Sequence, residues 1–176
     1  MVHGKTFKII TMDKTPSSSY KVRFHDCDMF GHLNNARYLD YMINARQDHL
    51  KDVYNFDYNS YYKNNLGWVI SYHEIQYLKP AFFEENVSIQ SSLLSADNET
   101  LYVEVLMMNE AKSYLKAVLR SKLTFINLKT GRKEQHAPEF IEWAKSLILE
   151  DSAAYAPIQD RIKQLIVQLK NNNTSI

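Results

Sequence analysis

Apolar residues alternate with Lys21, Arg23 and His25 over residues 20–24, the period-two pattern of a strand with one buried face. Asp26 and Asp28 end it, and Gly31 permits a turn. Asn34 or Asn35 can then cap a helix running to about Val53, with no proline or glycine inside. Tyr38, Leu39, Tyr41, Met42, Ile43 and Ala45 cover more than a narrow stripe, so this helix is expected to be central and wrapped by other elements. A polar, tyrosine-rich connection follows over 54–65, with room for one short helix. The pattern then turns to strands at 67–78, 86–95, 100–109 and 112–127. Short turns at Asp97-Asn98-Glu99, Asn109-Glu110-Ala111 and Lys129-Thr130-Gly131 suit antiparallel neighbours, since a parallel return needs a long crossover. The expected sheet is a meander of consecutive strands. Beyond Arg132 the chain is helical again. Ile158, Ile162, Leu165, Ile166 and Leu169 share one face after Pro157, and that face is expected to pack on its own domain or a subunit partner while residues 171–176 fray.

A chain of 176 residues fits one domain, and it carries no internal repeat or linker. Lysine and arginine nearly cancel the acids to leave +1, with no block of like charge, so nucleic acid is not an expected partner. Residues 1–20 show no signal-like apolar core, and the longest apolar runs fall far below the ~18 residues of a membrane span. The lone Cys27 excludes an internal disulfide. A cytoplasmic protein without membrane insertion is expected. Gly4-Lys5-Thr6 lacks the upstream glycine of a phosphate loop.

The chemistry concentrates in residues 23–38. A carboxylate at a strand end, Asp28, is followed seven positions later by a helix start, where unpaired N–H groups and a partial positive charge suit a developing oxyanion. A carboxylate with a pKa near 4 is a weak base, so burial would help it and the leaving group must be undemanding. Thiolates, with a conjugate pKa near 8.5, meet that demand. Thioester hydrolysis fits. Cys27 with His25 is a poorer nucleophile pair, having no third orienting group nearby. Asp26 is expected to cap a turn or pair with Arg23 or Arg37. His25, His49 and His73 read as ordinary hydrogen-bonded side chains, His3 and His136 as surface residues. Tyr54, Tyr58, Tyr61 and Tyr62 suit either an acyl-chain gate or a cover over a sheet edge, and packing over the edge is the expected role.

The pattern Asp28-x-x-x-His32-Leu33-Asn34-Asn35-Ala36-x-Tyr38-Leu39, with Ala45-Arg46 further along, resembles hotdog-fold acyl-CoA thioesterases of the 4-hydroxybenzoyl-CoA thioesterase-like group. Glu74-Ile75-Gln76-Tyr77-Leu78-Lys79-Pro80-Ala81 and the strands through Asn127 extend the likeness. It implies an α+β hotdog fold, an antiparallel sheet wrapped around one long central helix, here with extra C-terminal helices. The implied division is an N-terminal extension at 1–18, the hotdog domain at 19–135 and a helical extension at 136–176. It also implies a homodimer or homotetramer with sites at the subunit interface, acyl-CoA or an acyl-carrier protein as substrate partner, and no cofactor or metal. Asp28 is then general base or nucleophile, the Asn35 N–H polarises the carbonyl, His32 orients or lines the site, and Asn34 and Tyr38 face substrate. Two departures stand out. Phe30 occupies the place of an asparagine in plant-type acyl-carrier-protein thioesterases, and Ile43 that of a glutamate in many relatives.

The rival readings lack parts. Asp26-x-Asp28 after an apolar strand is how haloacid-dehalogenase phosphatases present their acids, but those need alternating strands and helices in a parallel sheet. His25, Asp26, Asp28 and His32 do not have the spacing of a closed metal set. A hotdog dehydratase would need a histidine and acid in another context. A hotdog protein that binds acyl-CoA or acyl-carrier protein without cleaving it is the main alternative, and the retained Asp28 weighs for catalysis because a binder gains nothing from a desolvated carboxylate.

Overall fold

The computed structural model describes residues 12–151 and 155–174. His3 and the Gly4-Lys5-Thr6 segment lie outside that range. Strands β1 (Ser17–Lys21), β2 (Leu66–Tyr77), β3 (Asn86–Ala96), β4 (Thr100–Asn109) and β5 (Leu115–Asn127) form one sheet in the order β1-β3-β4-β5-β2. All neighbouring pairs are antiparallel. The fold class is α+β, as expected.

Two expectations about the strands are corrected. The run β3 to β5 is a meander, but β2 does not adjoin β3. The inner edge of β3 is taken by β1, with Ser18 opposite Ile89, so β2 pairs instead with β5 at the far side, Ile75 opposite Leu119. Residues 78–85 therefore cross over rather than form a hairpin. The first strand also ends early. Val22 still exchanges bonds with Glu84 and Glu85, but a 3₁₀ turn (Phe24–Asp26) replaces the rest. Asp26 and Asp28 do not share a face of one strand: Asp26 is buried and Asp28 is exposed.

Helix α1 (Asn35–Asp52) starts at Asn34, whose side chain accepts the Ala36 N–H at 3.0 Å. Its buried Tyr38, Met42 and Ala45 pack on Val87, Ile89, Val105, Met107, Ala117 and Leu119 of the sheet. Further along α1, His49 is buried between the hydroxyls of Ser91 (2.8 Å) and Ser18 (2.9 Å), an ordinary hydrogen-bonded histidine. The other side of α1, at Asp40, Asn44, Gln47 and Asp48, is exposed, so within one chain the helix is covered and not fully wrapped.

Alternation along β4 divides two layers. Val103, Val105 and Met107 face the α1 side, whereas Glu104, Leu106 and Met108 face the opposite one. On that second face lies α4 (Ile158–Thr174), with Ile158, Ile162 and Leu165 against Leu106, Met108, Leu115 and Val118. The tail helix thus packs on its own domain. Ile166, expected on the same stripe, is 39% exposed. The helix also runs through Asn171-Asn172-Asn173 to Thr174 where fraying was expected. A buried carboxylate, Glu104, holds α4 down by accepting from Arg120 at 3.1 Å and Arg161 at 3.0 Å, and Arg161 also reaches Asp151 at 2.7 Å.

At the C-terminal end of α1, α2 (Tyr58–Lys63) and α3 (Pro138–Ser146) close an aromatic cluster around Phe56, Trp68, Phe140 and Trp143. His136, expected at the surface, is inside it. The segment after β5 folds back, with the His136 N–H on the Asn98 carbonyl at 2.7 Å, and the ring stacks on Phe125 and Phe140. Among the described residues no helix is long and apolar enough to cross a membrane.

Candidate active site

The loop from Asp26 to Asn34 is closed by its own main chain. Asp28 N–H donates to the His32 carbonyl at 2.8 Å, Gly31 N–H to the Asp28 carbonyl at 3.0 Å, and Asn34 N–H to the Asp26 carbonyl at 2.9 Å. Gly31 makes the reversal at φ +73°, where glycine has no Cβ to clash. Within this turn the Asp28 carboxylate is fixed at one oxygen: Oδ1 accepts the N–H groups of Phe30 at 2.9 Å and His32 at 3.1 Å. No partner among the described residues is bonded to Oδ2, and the residue is exposed. One lone acceptor held in place beside a helix start is what proton abstraction from water requires.

At that helix start the Asn34 side chain occupies the Ala36 N–H and its carbonyl takes the Arg37 N–H at 2.8 Å. The Asn35 N–H, in the first turn, has no intrahelical acceptor to meet. The Asn35 carbonyl instead accepts the Tyr77 hydroxyl at 3.0 Å, tying the end of β2 to the beginning of α1. Asp28, His32, Asn34 and Asn35 are therefore brought together on one loop and helix end. His32 contributes chiefly through its main chain, while its ring meets Phe82 edge-on at 4.9 Å. Tyr38 stands apart. It is 3% exposed, and its hydroxyl accepts the Ala81 N–H at 2.9 Å, so it braces the crossover loop from beneath.

That crossover loop is a part of the site not visible in the sequence. Leu33 N–H donates to Ala81, and Phe83 N–H to Gly31, so residues 80–85 back the Asp28 turn. Lys116, 1% exposed, holds the loop by donating to the Pro80 carbonyl at 2.7 Å and pairing with Glu85 at 2.8 Å. Asp26 serves a separate polar cleft. Its carboxylate accepts the Tyr41 hydroxyl at 2.8 Å and lies 3.1 Å from His25 and 3.6 Å from Arg37, the structural pairing anticipated with Arg37. Cys27 is disfavoured as a nucleophile: burial, with Asp26 and Asp28 beside it, pushes its thiol pKa up, and His25 is turned to Asp26. His73 makes an ordinary bond to the Ser121 hydroxyl at 2.7 Å. Of the four clustered tyrosines, Tyr54, Tyr58 and Tyr61 pack in the aromatic cluster, and Tyr58 and Tyr62 line a cavity under the second half of α1.

An antiparallel sheet against one helix, with a tethered carboxylate at the helix start, defines the class. A family model for the thioesterase-like superfamily matches residues 22–147, and the chain belongs to that superfamily. It is a hotdog-fold thioesterase, as the resemblance implied. The long-chain acyl-CoA thioesterase FadM of Escherichia coli (strain K12) is 28% identical over 112 residues, spanning 64% of this chain and 83% of FadM. The structure of the probable thioesterase YbaW from Escherichia coli is similar with a TM-score of 0.65 at 25% identity, over 76% of this chain and 98% of that one. A DHNA-CoA thioesterase from Staphylococcus aureus shares the fold, with a TM-score of 0.68 at 17% identity over 75% of this chain and 87% of that one.

Proposed function

We propose that the protein hydrolyses acyl-CoA thioesters, with Asp28 activating water and the Asn35 N–H receiving the oxyanion. The observation that carries this is the one-sided tethering of Asp28: Oδ1 is held by Phe30 and His32, and Oδ2 takes no bond among the described residues. Water adds to the thioester carbonyl as Asp28 takes its proton. The tetrahedral oxyanion is met by the helix N–H, and the intermediate collapses to the free acid and coenzyme A thiolate. A thiolate leaves without a strong general acid. Attack by Asp28 itself, through a mixed anhydride, uses the same geometry. His32 orients Asp28 through its main chain, Asn34 lines the helix start, and Tyr38 acts by positioning Ala81. The relative FadM, a long-chain acyl-CoA thioesterase by name, supports an acyl-CoA substrate.

The working unit in this reading is a homodimer. Asp28 is exposed in the single chain and ringed by exposed Phe24, Met29 and Phe30, so the desolvation that would strengthen a carboxylate base has to come from a second copy. Strand β2 offers a free sheet edge with Val69, Ile70 and Tyr72 exposed, and α4 covers the outer face of the sheet. Thiol release from acyl-CoAs of graded chain length, including an aromatic one, tests the activity. Release that falls by 10²-fold or more in Asp28→Asn supports both reaction and base. Binding of acyl-CoA by the parent protein without any thiol release would replace catalysis with the binding-only reading. Sedimentation of the intact chain as a monomer would remove the dimer.

A further inference from the structure

The buried cations among the described residues are paired with carboxylates. Lys116 meets Glu85, and Arg120 and Arg161 meet Glu104. The half-buried Arg46, on α1, has no carboxylate partner among the described residues. Its Nη1 donates to the Ser91 hydroxyl at 3.3 Å, and the phenols of Tyr54 and Tyr58 lie near enough to feel its charge. Burial pushes the guanidinium pKa down, yet an arginine keeps its proton and offers five N–H donors in a planar fork. A half-buried guanidinium whose neighbours are neutral hydroxyls keeps donors for an anion that reaches it.

Among the described residues, Arg46 is also the one charged side chain lining a cavity of about 220 Å³ under the second half of α1. The rest of that wall is largely apolar, with Leu50, Phe56, Trp68, Val103, Leu123 and Trp143 among its members. Measured along α1 at 1.5 Å per residue, the cavity begins about 12 Å from Asn35, at Ile43, and Arg46 stands about 16 Å away. A compact acyl group at the thioester does not span that distance. An extended chain does, and its far end then meets the guanidinium.

Resting on the thioesterase reading, we infer that this cavity takes the distal part of an extended acyl chain and that Arg46 binds a carboxylate at the chain's end. The substrate class is ω-carboxyacyl-CoA. A carboxylate matches the fork of donors in two parallel bonds and supplies the missing counter-charge. A terminal methyl supplies neither. The apolar wall holds the methylene chain between the two ends.

The test uses matched pairs of CoA esters of equal chain length, one ending in a methyl and one in a carboxylate, with kcat/KM and equilibrium binding measured on the intact protein. The expected result is a preference for the carboxylate-ended ester of roughly tenfold to a hundredfold, the range of one charge-assisted hydrogen-bonded pair. In Arg46→Met the ratio falls toward or below unity. Equal handling of both esters by the parent protein, or a preference for the methyl end, overturns the inference without any variant. Should neither ester be cleaved, the hydrolytic reading fails, and the binding ratio alone decides the role of Arg46. Failure of both to bind removes the cavity as an acyl site. Arg46→Lys, which keeps charge but not the fork, recovers part of the ratio if the mutant Met protein proves unfolded.

Discussion

The Tyr77 hydroxyl donates to the Asn35 carbonyl at 3.0 Å, so the last residue of the edge strand β2 is bound to the first residue of α1. The Tyr77 ring also meets the buried Tyr38 ring edge-on at 5.2 Å. Two elements far apart in sequence thereby hold the carbonyl of the residue whose N–H is assigned to the oxyanion. Tyr77→Phe keeps the ring contact and deletes the bond. A single neutral hydrogen bond contributes up to about 1.5 kcal/mol, which corresponds to roughly a tenfold change in rate if it is felt in the transition state. The expected outcome is a fall in kcat of up to about tenfold with KM little changed, read by steady-state thiol release. An unchanged kcat would separate Tyr77 from the reaction.

The pair Lys116–Glu85 supports the same site from the other side. Lys116 is 1% exposed, whereas Glu85 keeps 22% of its side chain in solvent, so the lysine is the member that depends on the pair. Glu85 also accepts the Phe82 N–H at 2.9 Å. Glu85→Gln preserves that acceptor and removes the charge, leaving Lys116 with the Pro80 carbonyl. The expected cost is about 3 kcal/mol, the scale for breaking a buried pair, measured as a lower urea midpoint. The double variant with Lys116→Met regains much of it, because the uncompensated charge is gone. Additive losses would show that the pair is not coupled.

Gly31 gives a cleaner separation of turn geometry from packing. At φ +73° an L side chain is strained, yet a Cβ built there meets nothing within 4 Å. Gly31→Ala is therefore expected to cost about 1 kcal/mol of stability through backbone strain alone. If the turn relaxes to avoid that strain, the Phe30 and His32 N–H groups leave Asp28 Oδ1. Activity then falls by more than stability does. Equal modest losses in a melting curve and in thiol release would mean that the turn holds its shape.

What could be read from the chain was what neighbours in sequence decide. Asp28, Gly31 and the Asn34 cap lie within one turn and its helix start, and their residue types carry the geometry directly. The pairing of β2 with β5 could not be read, because a short connection between strands favours neighbours until another strand, here β1, has taken the edge. His136 is polar and lies near Pro138, so its burial follows only from the fold-back that sets its N–H on Asn98. The isolation of Arg46 is likewise invisible in sequence. It depends on which strands line the cavity and on none of them presenting a carboxylate there.

The His136 ring makes the stability of the protein depend on pH in a set direction. The Trp68 Nε1–H donates to His136 Nε2 at 2.9 Å, and Nδ1 lies 2.9 Å from the Asp97 carbonyl, so the fitting form is the neutral ring with its proton on Nδ1. Burial pushes the His136 pKa below its ordinary value, with the Asp97 carbonyl only partly opposing that, and burial acts in the same direction on His49 and His73. Below the usual histidine pKa of about 6.5 the unfolded chain therefore binds more protons than the folded one, and stability rises with pH through that window. The contribution is fully present above about pH 6.5 and is lost as pH falls toward the depressed folded values. The urea midpoint is expected to drop between pH 7 and pH 5. In His136→Gln, whose side-chain oxygen can still accept from Trp68, the drop is expected to be shallower. An equally steep drop in the variant would assign the dependence to His49, His73 or the carboxylates and leave His136 as packing alone.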